Sequence, residues 1–126
     1  MIDINKQIIF WKDGAVEDLS AAINLIEKQH ILQSLFFLHL SLEKMLKALV
    51  CRNINDIAPR LHNLVRLAQI ADLTLLDEQL ETLAQLNAFN IEGRYPDTLV
   101  STIDTAKAND YLTRGRVLFE WLKEQL

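Results

Sequence analysis

Three polar side chains recur at four-residue intervals in the most apolar stretch of the chain. His39, Glu43 and Lys47 lie within residues 35–51, LFFLHLSLEKMLKALVC. In a helix this spacing places all three on one face. If that face lines a crevice, Glu43 can orient a base and Lys47 can meet a phosphate. The alternative is an i,i+4 ion pair on a part of the helix that reaches solvent. Lysine does not suit a metal site, so the row predicts no bound metal.

A second histidine, His62, follows Arg60 in the first turn of a predicted short helix. The positive end of a helix dipole favours the neutral imidazole there, which suits a base or a hydrogen-bond donor to a ligand. The structural alternative is a hydrogen bond to the preceding loop. The remaining histidine, His30, falls between two predicted helices and is interpreted as a linker residue.

The string Glu-Gly-Arg-Tyr-Pro-Asp at residues 92–97 lies in the only long segment without helical periodicity. Arg94 offers a planar fork for phosphate, and Tyr95 offers an aromatic face for a base. These two side chains are therefore candidate ligand contacts. The structural alternative is that Arg94 pairs with a buried carboxylate such as Glu43 and holds the loop against the core.

The composition is that of an all-helical protein, since 50% of the 126 residues are hydrophobic and there are only 3 glycines and 2 prolines. A net charge of -4 argues against a broad basic surface for duplex DNA or anionic lipid. The single cysteine, Cys51, excludes an internal disulfide and is expected to be a small core residue. No leader is recognisable, which predicts a cytoplasmic protein. No motif predicts a cofactor or a common enzyme class.

Helical periodicity divides the chain into segments. We predict a first helix over residues 5–28, with Trp11 among its apolar, core-facing positions. After a short break at 29–31 the second helix is expected to end near Arg52 or Asn53. Further helices are predicted over 60–71, from Thr74 as N-cap to about 90, and from Asp104 or Thr102 to 125. Pro59 is expected in the first turn of the third helix, and Gly14 is expected to mark a close helix approach. The fourth helix is expected to bury Leu76, Leu80, Leu83 and Ala84.

These segments predict one all-α domain over residues 1–126, an antiparallel up-and-down bundle of four long helices plus one short helix. The 35–51 helix is expected to be the central, most buried one. Apolar residues remain outside the core stripes, which predicts that the protein forms a homodimer. These residues are Phe10, Phe37, Val117 and Trp121.

Three strings in order resemble the HEPN domain, a nucleotide-binding helical domain of higher eukaryotes and prokaryotes. They are SLEKMLKALV at 41–50, LHNL at 61–64 and NAFNIEGRYPD at 87–97. The resemblance runs from Trp11 to the last helix. It implies a bundle of four or five helices, usually a homodimer. Small prokaryotic members of this kind are often encoded beside a minimal nucleotidyltransferase, in two-component systems of toxin–antitoxin type.

Some members of the HEPN family are metal-independent ribonucleases that place an Arg and a His a turn or two apart on one helix. Here one residue separates Arg60 from His62, and nine separate Arg52 from His62. The resemblance therefore favours a non-catalytic subunit that binds a nucleotide, or the substrate of a nucleotidyltransferase partner. The alternatives are a ribonuclease toxin acting on RNA with His62 and Arg94, and a structural dimerisation module.

Overall fold

The computed structural model describes residues 2–90 and 103–126. Over these residues the chain forms five α-helices and no strand. They are α1 (Ile4–Glu27), α2 (Ile31–Ile54), α3 (Leu64–Ile70), α4 (Asp77–Leu86) and α5 (Thr105–Glu124), with a 3-10 turn at Asn87–Phe89. The predicted all-α bundle is confirmed.

Helices α1 and α2 form an antiparallel hairpin. The Asp3 side chain caps α1 by accepting a hydrogen bond from the Lys6 backbone N–H at 3.2 Å. The chain reverses over residues 28–30, where Gln29 takes a positive φ of 62°. Ser34 then fastens the two helices together, because its hydroxyl donates to the Ala22 carbonyl at 2.7 Å. Helix α1 spans Ile4–Glu27, so its predicted bounds, residues 5–28, are confirmed to within one residue.

Helix α2 is the centre of the bundle. It packs against α1, α3 and α5. Fourteen of its 24 residues are buried, whereas four of the 24 residues of α1 are buried. A helix that is apolar nearly all round must bury more than one side, so the sequence pattern and the packing agree. Cys51 is fully buried, and burial raises the pKa of its thiol, as expected of a core residue.

Helix α3 begins later than predicted. Its N-cap is Asn63, whose side-chain oxygen accepts from the Arg66 backbone N–H at 3.0 Å. Pro59 and His62 therefore precede the helix, and the predicted place of His62 in a helical first turn is wrong. The physical reason is that the Asn63 side chain satisfies a free N–H of the first turn, which proline cannot do.

Helix α4 also begins later than its predicted N-cap, Thr74. The N-cap is Leu76, and its backbone N–H donates to the Gln79 side chain at 2.8 Å. Leu76 and Leu80 are exposed, as is Ala84, so the predicted inner face is correct only at Leu83. The buried residues of α4 are Thr82, Leu83 and Leu86. The stripe that faces the core is therefore shifted in sequence from the predicted one.

Helix α5 closes the bundle against α2. Asp104 caps it, as predicted, by accepting from the Lys107 backbone N–H at 2.8 Å. Gly115 lets the two helices approach closely, because a Cβ there would lie 2.8 Å from Leu38 Cδ1. At Gly14 a Cβ would lie 3.2 Å from Lys44 Cδ on α2, which confirms the predicted close approach of α1. In the part of the chain that the structure describes, no helix is long and apolar enough to cross a membrane.

Candidate functional site

The polar row of α2 lies inside the protein. His39 is fully buried, and Glu43 and Lys47 are 4% and 5% exposed. The i,i+4 ion pair of Glu43 and Lys47 is present at 3.1 Å, but its predicted position in solvent is wrong. The physical reason is that α2 is covered on several sides, so its polar face also meets neighbouring parts of the chain. A buried polar side chain must find partners or incur a desolvation penalty.

His39 connects α2 to the end of α4. Its Nδ1 lies 3.1 Å from the Leu86 carbonyl oxygen. This carbonyl belongs to the last turn of α4, where backbone oxygens lack an intrahelical partner. Its other ring nitrogen, Nε2, lies 3.3 Å from Glu43 Oε1. His39 therefore fixes the position of Glu43 relative to α4.

Glu43 is the centre of the arrangement. Its Oε2 accepts from the Lys47 ammonium at 3.1 Å, and its Oε1 accepts from His62 Nδ1 at 3.0 Å. Burial alone would raise the pKa of this carboxyl. The hydrogen bonds from His39, Lys47 and His62 together with the Lys47 charge outweigh burial and lower the pKa from 4.5 to about 2. Glu43 is therefore a carboxylate near neutral pH.

His39, Glu43, Lys47 and His62 form one hydrogen-bonded group, which we call the Glu43 cluster. Three of its members can carry a positive charge, and all three bond to the same carboxylate. Over residues 2–90 and 103–126, no second carboxylate lies within salt-bridge distance of any of them. The cluster is thus rich in groups that can carry a positive charge.

His62 is the exposed member of the Glu43 cluster. Its side chain is 65% exposed, while the Glu43 side chain beneath it is 6% exposed. Because a carboxylate only accepts hydrogen bonds, Nδ1 of His62 must donate, which leaves Nε2 for a ligand. A buried carboxylate that orients an exposed imidazole is an arrangement suited to ligand binding or to proton transfer.

Trp11 of α1 is a neighbour of the cluster that sequence reasoning placed only among core positions. The Lys47 ammonium lies 5.0 Å from the centroid of its ring, within cation–π range. The indole Nε1 is buried and has no acceptor among the residues that the structure describes. The signal in the sequence that could have indicated this contact is the position of Trp11 on the apolar face of α1, which meets α2.

Of the predicted ligand contacts, the structure brings together His39, Glu43, Lys47 and His62. Arg94 and Tyr95, with the rest of residues 91–102, lie outside the described residues. The proposed pairing of Arg94 with Glu43 therefore stays a hypothesis. Within residues 2–90 and 103–126, no three His, Cys, Asp or Glu side chains are grouped to hold a metal ion.

The loop before α3 is positioned by a separate set of hydrogen bonds. Asn87 accepts from the Leu64 backbone N–H at 2.8 Å and donates to Asn63 Oδ1 at 3.2 Å. Asn87, the C-cap residue of α4, thus supports the start of α3 with its side chain. These bonds tie α3 to the end of α4, immediately after His62.

The fold and the candidate site together define an all-helical protein with a buried polar cluster on its central helix. The model of the HEPN domain matches residues 8–125, so the chain belongs to the HEPN family.

Solved structures share the fold. The crystal structure of TT1696 from Thermus thermophilus superposes with a TM-score of 0.80 at 20% identity, over 95% of this chain and 98% of that one. The crystal structure of ST0689, an archaeal HEPN homologue, gives a TM-score of 0.72 at 18% identity, over 99% and 98%. No curated protein gives a significant match to the sequence.

Proposed function

We propose that this chain is a non-catalytic, cytoplasmic helical subunit that binds a nucleotide, or the substrate of a partner nucleotidyltransferase, at His62. The observation that carries the proposal is the contact between the exposed His62 imidazole and the buried Glu43 carboxylate, 3.0 Å apart. The resemblance to small prokaryotic HEPN proteins supports the partner, and a two-component system of toxin–antitoxin type is the proposed context.

The physical argument rests on preorganisation. An exposed histidine on a loop normally samples several rotamers, and a ligand must restrict them at a cost in affinity. Here Glu43 holds the ring, and His39 and Lys47 hold Glu43. Part of the ordering cost is therefore met when the protein folds. This arrangement favours a binding role for His62 over that of a freely solvated surface residue.

The direct test measures nucleotide binding by calorimetry for the wild type and for His62→Ala. Loss of one hydrogen bond to a charged group predicts about a tenfold weaker affinity, without a change in fold. His30→Ala is the matched control, because His30 is also an exposed histidine outside a helix. Equal affinities of the two variants would reject His62 as a ligand contact.

The partner is tested separately. Co-expression with a nucleotidyltransferase encoded beside this chain is expected to give a complex that survives size-exclusion chromatography. The protein alone is expected to transfer no nucleotide. If the two proteins elute apart and this chain does not alter the activity of the nucleotidyltransferase, the subunit role is rejected.

The contact between Glu43 and His62 also favours a second candidate function, metal-independent RNA cleavage. An imidazole oriented by a carboxylate is suited to general acid–base catalysis, which then needs a cation at the phosphate, for which Arg94 is the candidate. The test incubates single-stranded RNA with the protein and a chelator. Cleavage that His62→Ala abolishes would establish this function and reject the non-catalytic one.

We also propose that the protein is a homodimer. Two of the residues that the sequence singled out, Phe10 and Val117, are 66% and 69% exposed, and Phe37 and Trp121 are partly buried. A two-fold interface would remove such apolar surface from water. Light scattering at micromolar concentration is expected to give twice the chain mass of 14.5 kDa. A monomer mass throughout that range would reject the dimer.

A further inference from the structure

A groove runs between α4 and α5 and is separate from the Glu43 cluster. Its volume is about 610 Å³, and among the residues that the structure describes it shares none with the cluster. Glu78 and Glu81 line the side formed by α4, and Val117 lines the side formed by α5. The α4 side extends over residues 78–85, which is about two helical turns. The groove is therefore long enough to contact two turns of another helix.

The lining of the groove is acidic. Glu78 and Glu81 are exposed on the α4 side. On the α5 side, Arg114 lies 3.1 Å from Asp110, so its charge is already paired. The described residues of the lining thus carry three carboxylates and one guanidinium. A surface on which one sign of charge dominates favours a partner with the opposite charge.

An apolar side chain lies beside these carboxylates. Val117 is 69% exposed, more than any other large hydrophobic residue in the described part of the chain. Leu118, next to it in the lining, is buried and belongs to the core. An amphipathic helix offers both matching surfaces, because its apolar side can contact Val117 while cationic side chains at its edge meet the two glutamates.

We propose that this groove binds a helical segment of a partner protein, with apolar residues along one side of the segment and Lys or Arg beside them. A helix fits because two packed helices present a groove into which the side chains of a third helix insert. This inference rests on the proposed subunit role, and it assigns the surface that holds the partner.

A second copy of this chain is the competing occupant, and the charge of the groove argues against it. A two-fold contact brings the same surface of both copies together. Centred on this groove, it would place Glu78 and Glu81 against the same carboxylates of the other copy, and like charges repel. The homodimer proposed above is therefore expected to be centred on another surface, such as the one that exposes Phe10.

The experiment uses two synthetic helical peptides that share leucines on one side. The other side carries lysines in the first peptide and glutamates in the second. Calorimetry and the amide chemical shifts of the whole protein report binding. The lysine peptide is expected to bind and to shift amides of α4 and α5, and its affinity is expected to fall as salt is added. The glutamate peptide is expected not to bind.

Two double variants test the acidic side of the groove. Glu78→Gln combined with Glu81→Gln is expected to weaken binding of the lysine peptide about fivefold, since two exposed ion pairs are lost. Glu17→Gln combined with Glu120→Gln is the matched control, because it removes the same charge from exposed positions outside the groove. This control is expected to change the affinity less than about twofold.

Two valine variants test the apolar side. Val117→Ala is expected to weaken binding of the lysine peptide about fivefold, because it removes apolar surface that the peptide covers. Val16→Ala, the same change at an exposed position of α1, is expected to leave the affinity unchanged. If Val117→Ala converts a dimer into monomers and leaves the peptide affinity unchanged, the groove is an interface between copies and the inference is overturned.

Equal binding of the two peptides, or equal losses in the two double variants, would show a nonspecific attraction to an acidic protein and would overturn the inference. Amide shifts confined to other helices would do the same. The absence of binding would also overturn it, because the whole chain is used and any part of it that fills the groove excludes the peptide.

The same variants separate this inference from the subunit role. A complex with the co-expressed nucleotidyltransferase that survives both the double glutamate change in the groove and Val117→Ala at wild-type affinity overturns the groove and leaves the subunit role. If the lysine peptide binds the groove as expected but the nucleotidyltransferase elutes apart with its activity unchanged, the groove stands and the subunit role is rejected.

Discussion

Glu43 and Lys44 are neighbours in α2, yet their ionic contacts differ in kind. Lys44 meets Asp18 in a simple pair, whose side chains are 28% and 13% exposed. Glu43 meets three potential cations and is 6% exposed. The first contact holds two helices together at the edge of the bundle. The second concentrates charge in the interior and leads to an exposed imidazole. Burial of the carboxylate and the exposed imidazole bonded to it, more than the number of contacts, distinguish the Glu43 cluster from the Lys44–Asp18 pair.

The largest expected effect comes from removing the shared carboxylate. Glu43→Ala removes the carboxylate that His39 and Lys47 both contact in the described part of the chain, and it is expected to cost about 3–5 kcal/mol of unfolding free energy. Urea denaturation of the variant and the wild type measures this difference. Asp18→Ala is the control from the other pair. A cost for Glu43→Ala no larger than that of Asp18→Ala would reject the difference between the two contacts.

The next effect appears in the pH dependence of stability. The pKa of Glu43 falls from 4.5 to about 2 on folding. Its contribution is therefore fully present above pH 4.5 and is lost as the pH falls toward 2. The shift corresponds to about 3 kcal/mol. Denaturant unfolding at several pH values, with Glu43→Gln as the baseline, is expected to show the two proteins converging in acid. A difference that stays constant across this range would contradict the assignment.

The smallest effect belongs to the pair of Lys44 and Asp18. Partly exposed ion pairs contribute about 0–1 kcal/mol, and salt screens them. Asp18→Asn is expected to lower the unfolding free energy by no more than about 1 kcal/mol, and by less in high salt. Melting curves at low and high salt measure both quantities. A loss of several kcal/mol, unchanged by salt, would show that this pair behaves like the Glu43 cluster.

The sequence predictions were accurate where a signal repeats over many helical turns and less accurate where it depends on a single residue. The apolar spacing of α1, α2 and α5 repeats over many turns, so these helices were predicted with nearly correct bounds. The starts of α3 and α4 depend on which of several nearby residues caps the helix. Asn63 and Leu76 serve this role, whereas the sequence predicted a start at Pro59 for the one helix and Thr74 as the N-cap of the other. Competing caps differ by about 1 kcal/mol, which tertiary contacts easily outweigh.

The sequence analysis selected the residues of the Glu43 cluster but did not predict how they are arranged. His39, Glu43, Lys47 and His62 were all selected from their residue types. Their joint attachment to one carboxylate was not predicted, because Glu43 and His62 are 19 positions apart and lie on different elements. Trp11 was placed only among core residues, since nothing local distinguishes an aromatic ring over a cation from one in a core. The predicted contacts Arg94 and Tyr95 lie in residues 91–102, outside the described part of the chain.

The sequence by itself determined that this protein is an all-α bundle with a central second helix, because hydrophobic periodicity acts over single elements. It also determined that His39, Glu43 and Lys47 share one face, since helical geometry follows from spacing alone. Only the tertiary structure decided that this face points into the protein and meets His62 and the end of α4. The physical reason is that the direction of a helix face, and the partners of its polar side chains, depend on what the rest of the chain packs against it.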